Sequence, residues 1–232
     1  MAIIANPGLR TAEPNPAADA QYLNGSRMRR MSAVHEELIY RQLGKILWDI
    51  GGVETGAATA CGLMASTPFL TARERRFLRE RMWPEERGHE RLMVRWGEAW
   101  YGPRPRRRMP YAATVWRDLI TAAQLPATYR FAYCFATIHW NEVNSLRSQR
   151  QILPILEAAD PAAARDFRQI VSEESGHVAW GSGLRTRLER EAPILSRIVE
   201  RYIDLTDQVY PAVINRSQSR AWQQLRTRLA VG

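Results

Sequence analysis

Glu85-Glu86-Arg87-Gly88-His89 recurs 88 residues later as Glu173-Glu174-Ser175-Gly176-His177. The chain has only 4 histidines, and two of them close these motifs. Residues three apart on an α-helix share a face. Each motif therefore turns a carboxylate and an imidazole, Glu86 with His89 and Glu174 with His177, toward one point. Two Glu-x-x-His helices, joined by two others that each add a glutamate, build the dinuclear metal site of a four-helix bundle. The repeat thus points to an all-α fold and asks for two more acids.

Spacing selects them. A first helix, from about Ser32 to Met64, offers Glu36, Glu37, Asp49 and Glu54. A third helix, from about Ala127 to Ile152, offers Glu142. Glu54 precedes Glu86 by 32 residues and Glu142 precedes Glu174 by 32, against 50 and 49 for Glu36 and Glu37. From Glu54 to a turn at Thr67-Pro68-Phe69-Leu70 is roughly 23 Å of helix, and the return to Glu86 is roughly 25 Å. Antiparallel packing then sets the two acids level, and the same holds for Glu142 and Glu174. The chain reads as two copies of one helical hairpin.

Local signals place the helices. Thr71-Ala72-Arg73-Glu74 is a capping box opening the second helix, which runs to about Trp100. Pro84 should kink it just before Glu85. Pro154 should end the third helix near Ile152. Asp160-Pro161 opens a fourth that reaches about Arg190. Further helical sequence fills 193–209 and 212–229, broken at Pro211. The 101–125 connection, Pro- and Arg-rich with a short helix near Val115–Ala122, is long enough to cross back along the bundle. Residues 1–31 read as an irregular arm, and 32–232 as one bundle domain with extra C-terminal helices.

Composition narrows the setting. Apolar residues make up 45% of the chain, which is ordinary for a globular domain. No apolar run reaches the roughly 18 residues of a membrane span. Ala2-Ile3-Ile4-Ala5 is too short for a secretory signal, so a cytoplasmic location is expected. Cys61 and Cys134 cannot form a disulfide framework. The net charge is +9, and Lys45 is the sole lysine among arginines. No nucleic-acid motif accompanies that charge, so nucleic acid is not the expected partner.

The proposed ligand set is Glu54, Glu86, His89, Glu142, Glu174 and His177. Four carboxylates balance two divalent cations, and oxygen and imidazole donors suit two Fe, two Mn or a mixed pair. Each histidine takes one metal; Glu86 and Glu142 or Glu174 are the candidate bridges. Open positions on both metals make dioxygen the natural co-substrate. Glu85 and Glu173 each precede a ligand. They are assigned to the outer shell, each receiving the second ring N–H of the opposite motif's histidine. His139, three before Glu142, is an outer-shell candidate, either further ligand or proton carrier, against an ordinary buried histidine. Gly88 and Gly176 suggest close helix contact beside each histidine. Gly51, Gly52, Gly56, Ala57 and Ala58 either leave a cavity around Glu54 or pack tightly. Tyr133, Trp140 and Trp180 read as core, and His35 as a surface residue.

Together these residues resemble the ferritin-like diiron-carboxylate superfamily over about residues 32–190. Glu-Glu-x-Gly-His is similar to the Asp-Glu-x-Arg-His motif of bacterial multicomponent monooxygenases, with Glu for Asp and Gly for Arg. His177-Val178-Ala179-Trp180-Gly181 resembles a segment of ribonucleotide reductase small subunits and ligand-binding oxidases. The resemblance implies a non-haem diiron monooxygenase or oxidase acting on a small or carrier-bound metabolite. It also implies an electron donor such as a ferredoxin with its reductase, and it allows a homodimer. The rival readings are a ferroxidase or metal-storage protein, a manganese catalase, and a metal-free helical binding module.

Overall fold

The structure, a computed structural model, describes residues 33–102 and 110–231. The expected N-terminal arm and the Arg104–Arg108 run lie outside the described residues, as does the side chain of His35. The described residues are helical, with no strand among them. None of these helices is long and apolar enough to cross a membrane.

Helix α1 (Ala33–Ala65) turns through residues 66–71 into a second rod. That rod is α2 (Ala72–Phe77), a π-helical turn (Leu78–Met82) and α3 (Trp83–Tyr101). Thr71 caps it as the sequence suggests, with the reciprocal Thr71–Glu74 bonds of a capping box. Pro84 lacks an N–H, and its ring crowds the carbonyl four residues back. A π-turn, closed by Trp83 N–H on Leu78 O, stands just before it, so the regular hydrogen-bond ladder is interrupted where the proline was expected to disturb the helix.

The connecting helix α4 (Pro110–Ala123) begins earlier than the expected Val115. It is followed by α5 (Ala127–Ala159), α6 (Pro161–Glu191) and α7 (Pro193–Val231). Two expected breaks are corrected. Pro154 stands inside α5 and Pro211 inside α7. Both prolines face solvent, while Ile152 and Leu156, and Tyr210 and Val213, hold the inner faces of their helices in the core. Packing on the buried side outweighs the hydrogen bond lost on the wet side. Asp160 caps α6 by accepting from Ala162 N and Ala163 N at 3.1 and 3.0 Å.

Ring contacts fix the course of the chain. Trp100, near the end of α3, lies 5.2 Å from Tyr40 near the start of α1. Phe131, near the start of α5, lies 5.5 Å from Phe69 in the α1–α2 turn. The chain thus stands at one end of the hairpin at Trp100 and at the other at Phe131, and α4 lies along α1. Asp49 accepts from Ala112 N at 3.1 Å, pinning the first turn of α4. A methyl group on Gly52 would meet Ala112 Cβ at 2.7 Å, and one on Gly56 would meet Val115 Cγ1 at 2.7 Å. Gly52 and Gly56 thus let α4 approach closely, the tight-packing alternative, while Ala57 lines a small cavity beside Glu54.

Two apolar clusters fill the bundle. One joins Leu43, Ile46, Leu47, Ile50 and Met93 to Phe167 and Ile170. The other joins Cys61, Met64, Leu78 and Met82 to Phe131, Phe135 and Leu184. The inner stripe of α6 runs Ala163, Ala164, Phe167, Ile170, Glu174, His177, Gly181, Leu184, Leu188. That is helical spacing, with an acid and an imidazole set among apolar neighbours.

Candidate metal centre

Between the two clusters, six polar side chains meet in a place that water does not reach. Glu54, Glu86, His89, Glu142, Glu174 and His177 are each 4% exposed or less. They form two groups of converging donor atoms. One is Glu86, Glu142, Glu174 and His177; the other is Glu54, His89 and Glu174. Within each group the donor atoms lie within 4.8 Å of one another.

Glu174 belongs to both groups. Its Oε2 stands 3.5 Å from His177 Nδ1 and its Oε1 stands 3.5 Å from His89 Nδ1. Of the candidate bridges, Glu174 is the one with an oxygen turned to each group. Each hairpin supplies the terminal acid and the imidazole of one group: Glu54 with His89, Glu142 with His177.

The outer nitrogen of each imidazole is tied across the bundle. His89 Nε2 lies 2.8 Å from Glu173 Oε2, and His177 Nε2 lies 2.8 Å from Glu85 Oε2. Once a bound cation displaces the inner proton, a ring that donates Nε2–H to a carboxylate presents Nδ1 inward as a lone pair. Each outer carboxylate is itself steadied from four residues earlier, Glu85 by Arg81 and Glu173 by Gln169. The exchange between motifs is therefore reciprocal.

The inner atoms fit a metal pair. Glu86 Oε1 and Oε2, Glu174 Oε2 and His89 Nδ1 are buried and have no hydrogen-bond partner. Glu86 Oε1 is 2.9 Å from His177 Nδ1, an ion pair of the metal-free centre whose two atoms a bound cation would share. Buried polar atoms left unpaired are costly, and four at one place ask for a partner. Oxygen and nitrogen donors without thiolate fit iron or manganese.

Burial, then the charges of Glu174 and Glu86, pushes the Glu54 and Glu142 carboxyls well above the usual range. Burial opposes charge on the imidazoles, but the facing carboxylates win. They lift His89 to about 9 and His177 far above its ordinary value. Glu174 is held low despite its burial, because Glu142 and the two histidines donate to it. At pH 7 the metal-free centre thus keeps both imidazoles protonated. Metal ligands must shed their protons, so loading divalent cations should release at least about two protons per chain. Affinity then falls as pH falls. Calorimetry with Mn(II) in buffers of different ionisation enthalpy measures that number.

His139 stands apart from the donors. It is buried and stacked on Phe135, with ring centroids 5.7 Å apart and planes 4° apart. Its Nδ1 faces Gly181, where an added Cβ would sit 2.5 Å away. Burial, helped by Arg185, holds it below the usual imidazole range. Gly181, not Gly88 or Gly176, is therefore the glycine of close approach. A Cβ on Gly176 would meet nothing within 4 Å, and on Gly88 only Arg91 Nη2 at 3.9 Å, which corrects the expected contact beside each histidine.

Trp180 stacks on Phe77 at 5.4 Å, and Phe77 meets the His177 ring edge-on at 6.4 Å. Trp140 donates to Asp207, and Tyr133 packs on Tyr202. Burial pushes the Cys61 thiol well up and the Cys134 thiol up to about 12, so both are inert.

Sequence reasoning missed four residues beside the centre. Gln149 donates to Glu174 Oε1 at 3.2 Å, joined by Ser145 Oγ at 3.4 Å. The Tyr111 hydroxyl donates to Asn141 Oδ1 in the wall of a narrow cavity of about 50 Å³ that reaches Glu54 and Glu142. Ile50, Val53, Ala57 and Ile214 complete its apolar side. Polar residues inside the apolar stripe of α5 were the available signal. Comparison of the chain with protein-family models, curated proteins and solved structures finds no match.

Proposed function

We propose that this protein is a non-haem dinuclear metal oxidoreductase, a monooxygenase or oxidase that activates dioxygen on a ferritin-like bundle. One observation carries the proposal: two buried donor groups share the carboxylate of Glu174, and their inner atoms lack any other partner. The course of the chain, with α4 returning along the hairpin, is that of bundles built around such sites.

Glu54 and His89 would hold one ion, Glu142 and His177 the other, with Glu174 and Glu86 between them. Two such Fe ions, when bound, supply the redox electrons that dioxygen reduction needs. The chain's part is to orient and to exclude water. Glu85 and Glu173 keep a proton at His177 Nε2 and His89 Nε2, so both Nδ1 atoms stay turned inward. The Tyr111–Asn141 bond braces the cavity wall, and the apolar side chains opposite limit entry to small molecules.

The metal-free chain, loaded anaerobically with Fe(II) and then exposed to dioxygen, should bind two ions and consume oxygen in proportion to them. Binding of fewer than two ions, or two ions with no oxygen uptake, defeats the proposal.

A second reading has one observation in its favour. A cavity of about 50 Å³ is the size of dioxygen or hydrogen peroxide rather than of a metabolite. Ferroxidase action, or peroxide disproportionation by a manganese pair, needs no larger substrate. Oxygen release from hydrogen peroxide by the Mn-loaded chain would select the latter.

A further inference from the structure

We propose that the two metal positions bind with unequal affinity, and that Gln149, seconded by Ser145, makes them unequal. The inference rests on the dinuclear reading above and concerns the chain's own residues around it.

The 88-residue offset relating the two hairpins covers the donors, the outer glutamates and the residues that steady them. Glu54 matches Glu142, Glu86 matches Glu174, Glu85 matches Glu173, and Arg81 matches Gln169. Among the side chains that donate to the central carboxylates from α1 and α5, the correspondence fails at two positions. Ser145 and Gln149 on α5 correspond to Ala57 and Cys61 on α1.

The consequence falls on the two central carboxylates. Gln149 is fully buried, and its Nε2 donates to Ser145 Oγ at 2.7 Å and to Glu174 Oε1 at 3.2 Å. The reverse orientation of the amide would set two oxygens against each other, so the geometry fixes its sense. Ser145 Oγ adds a second, longer contact to the same oxygen at 3.4 Å. Glu86 has no amide or hydroxyl donor of this kind, since the corresponding positions are an alanine and a thiol, and its contacts are with Glu54 and His177.

Glu174 Oε1 is the oxygen turned to the Glu54–His89 group. A carboxylate oxygen has about two lone-pair directions, and here Gln149 and Ser145 compete with an ion for them. Glu174 Oε2, turned to the Glu142–His177 group, has no contact from Gln149 or Ser145, and its neighbours are the donor residues of that group. That group also counts four converging donors against three. The His177 position is therefore the tighter one and fills first; the His89 position is the weaker. Gln149 acts as a positioning residue that trims the donor strength of one oxygen.

The test is equilibrium binding of Mn(II) to the metal-free full-length chain, read by the electron paramagnetic resonance of free Mn(II). The native chain should bind two ions in phases separated by about tenfold or more. His89→Ala should abolish the weaker phase and His177→Ala the tighter. Gln149→Leu keeps the volume and removes the donor that competes for Glu174 Oε1, and should tighten the weaker phase by up to about tenfold, the worth of one hydrogen bond. Ser145→Ala, gentler on folding, should shift it the same way by less, and stands alone should Gln149→Leu not fold. Two equal phases in the native chain overturn the proposal. So does an unchanged separation in the folded variants with two ions still bound. Fewer than two ions on the native chain overturns the dinuclear centre itself, and the inequality with it.

Discussion

Glu174→Gln is expected to weaken both metal positions at once, each by more than about 100-fold, the upper end of what losing an outer-shell partner costs. Among the described residues, Glu174 is the one side chain that belongs to both donor groups. The amide matches the carboxylate in shape, so the substitution removes charge and one donor atom and leaves packing intact. The oxygen it keeps can serve one group only, and serves it as a neutral ligand. Removing this acid also leaves three carboxylates for two dications. Glu54→Gln is the informative contrast. Glu54 belongs to the His89 group alone, so its loss should spare the His177 phase. Calorimetric titration of both variants with Mn(II) separates the cases. A Glu174→Gln chain that kept one ion at native affinity would mean that the carboxylate is no bridge.

That contrast was only partly legible in the amino-acid sequence. Glu-x-x-His repeats and their 32-residue lead from Glu54 and Glu142 are local patterns, and helical periodicity turns them into a place in space. Thr71 and Asp160 were legible for the same reason, since a cap bonds within its own turn. Pro154 and Pro211 misled because a proline's effect depends on the face it occupies, and both face solvent on helices anchored by buried neighbours. Gly88 and Gly176 misled because a glycine in a helix signals close approach only where another element comes near. Gly52, Gly56 and Gly181 do meet such neighbours. Asp49 is buried on the same helix as Glu54, yet it serves Ala112 N, a partner 63 residues away that only the path of α4 supplies. Gln149 was invisible as a support of Glu174 for the same reason: its bond joins α5 to α6 at a point no local pattern marks.

Stripping metal should lower the melting temperature by about 10 °C or more. An ion that binds only the folded chain stabilises it by about 2.7 kcal/mol at 100 times its Kd, and two ions roughly double that. For a chain of this size each kcal/mol is worth about 2–4 °C. The metal-free fold has its own reason to be weaker. Four acids and two imidazoles stay buried there at 4% exposure or less, with Glu86 Oε1 and Oε2 and His89 Nδ1 lacking partners. Unpaired buried polar atoms of this kind cost about 1–3 kcal/mol each. Thermal melts of the chain in EDTA and in excess Mn(II), followed by far-ultraviolet circular dichroism, measure the difference. The rise on adding metal should shrink as pH falls from neutrality, because protons on Glu54, Glu142, His89 and His177 compete with the ions for the same atoms. A melting temperature indifferent to EDTA would instead mark a helical bundle whose buried acids bind nothing.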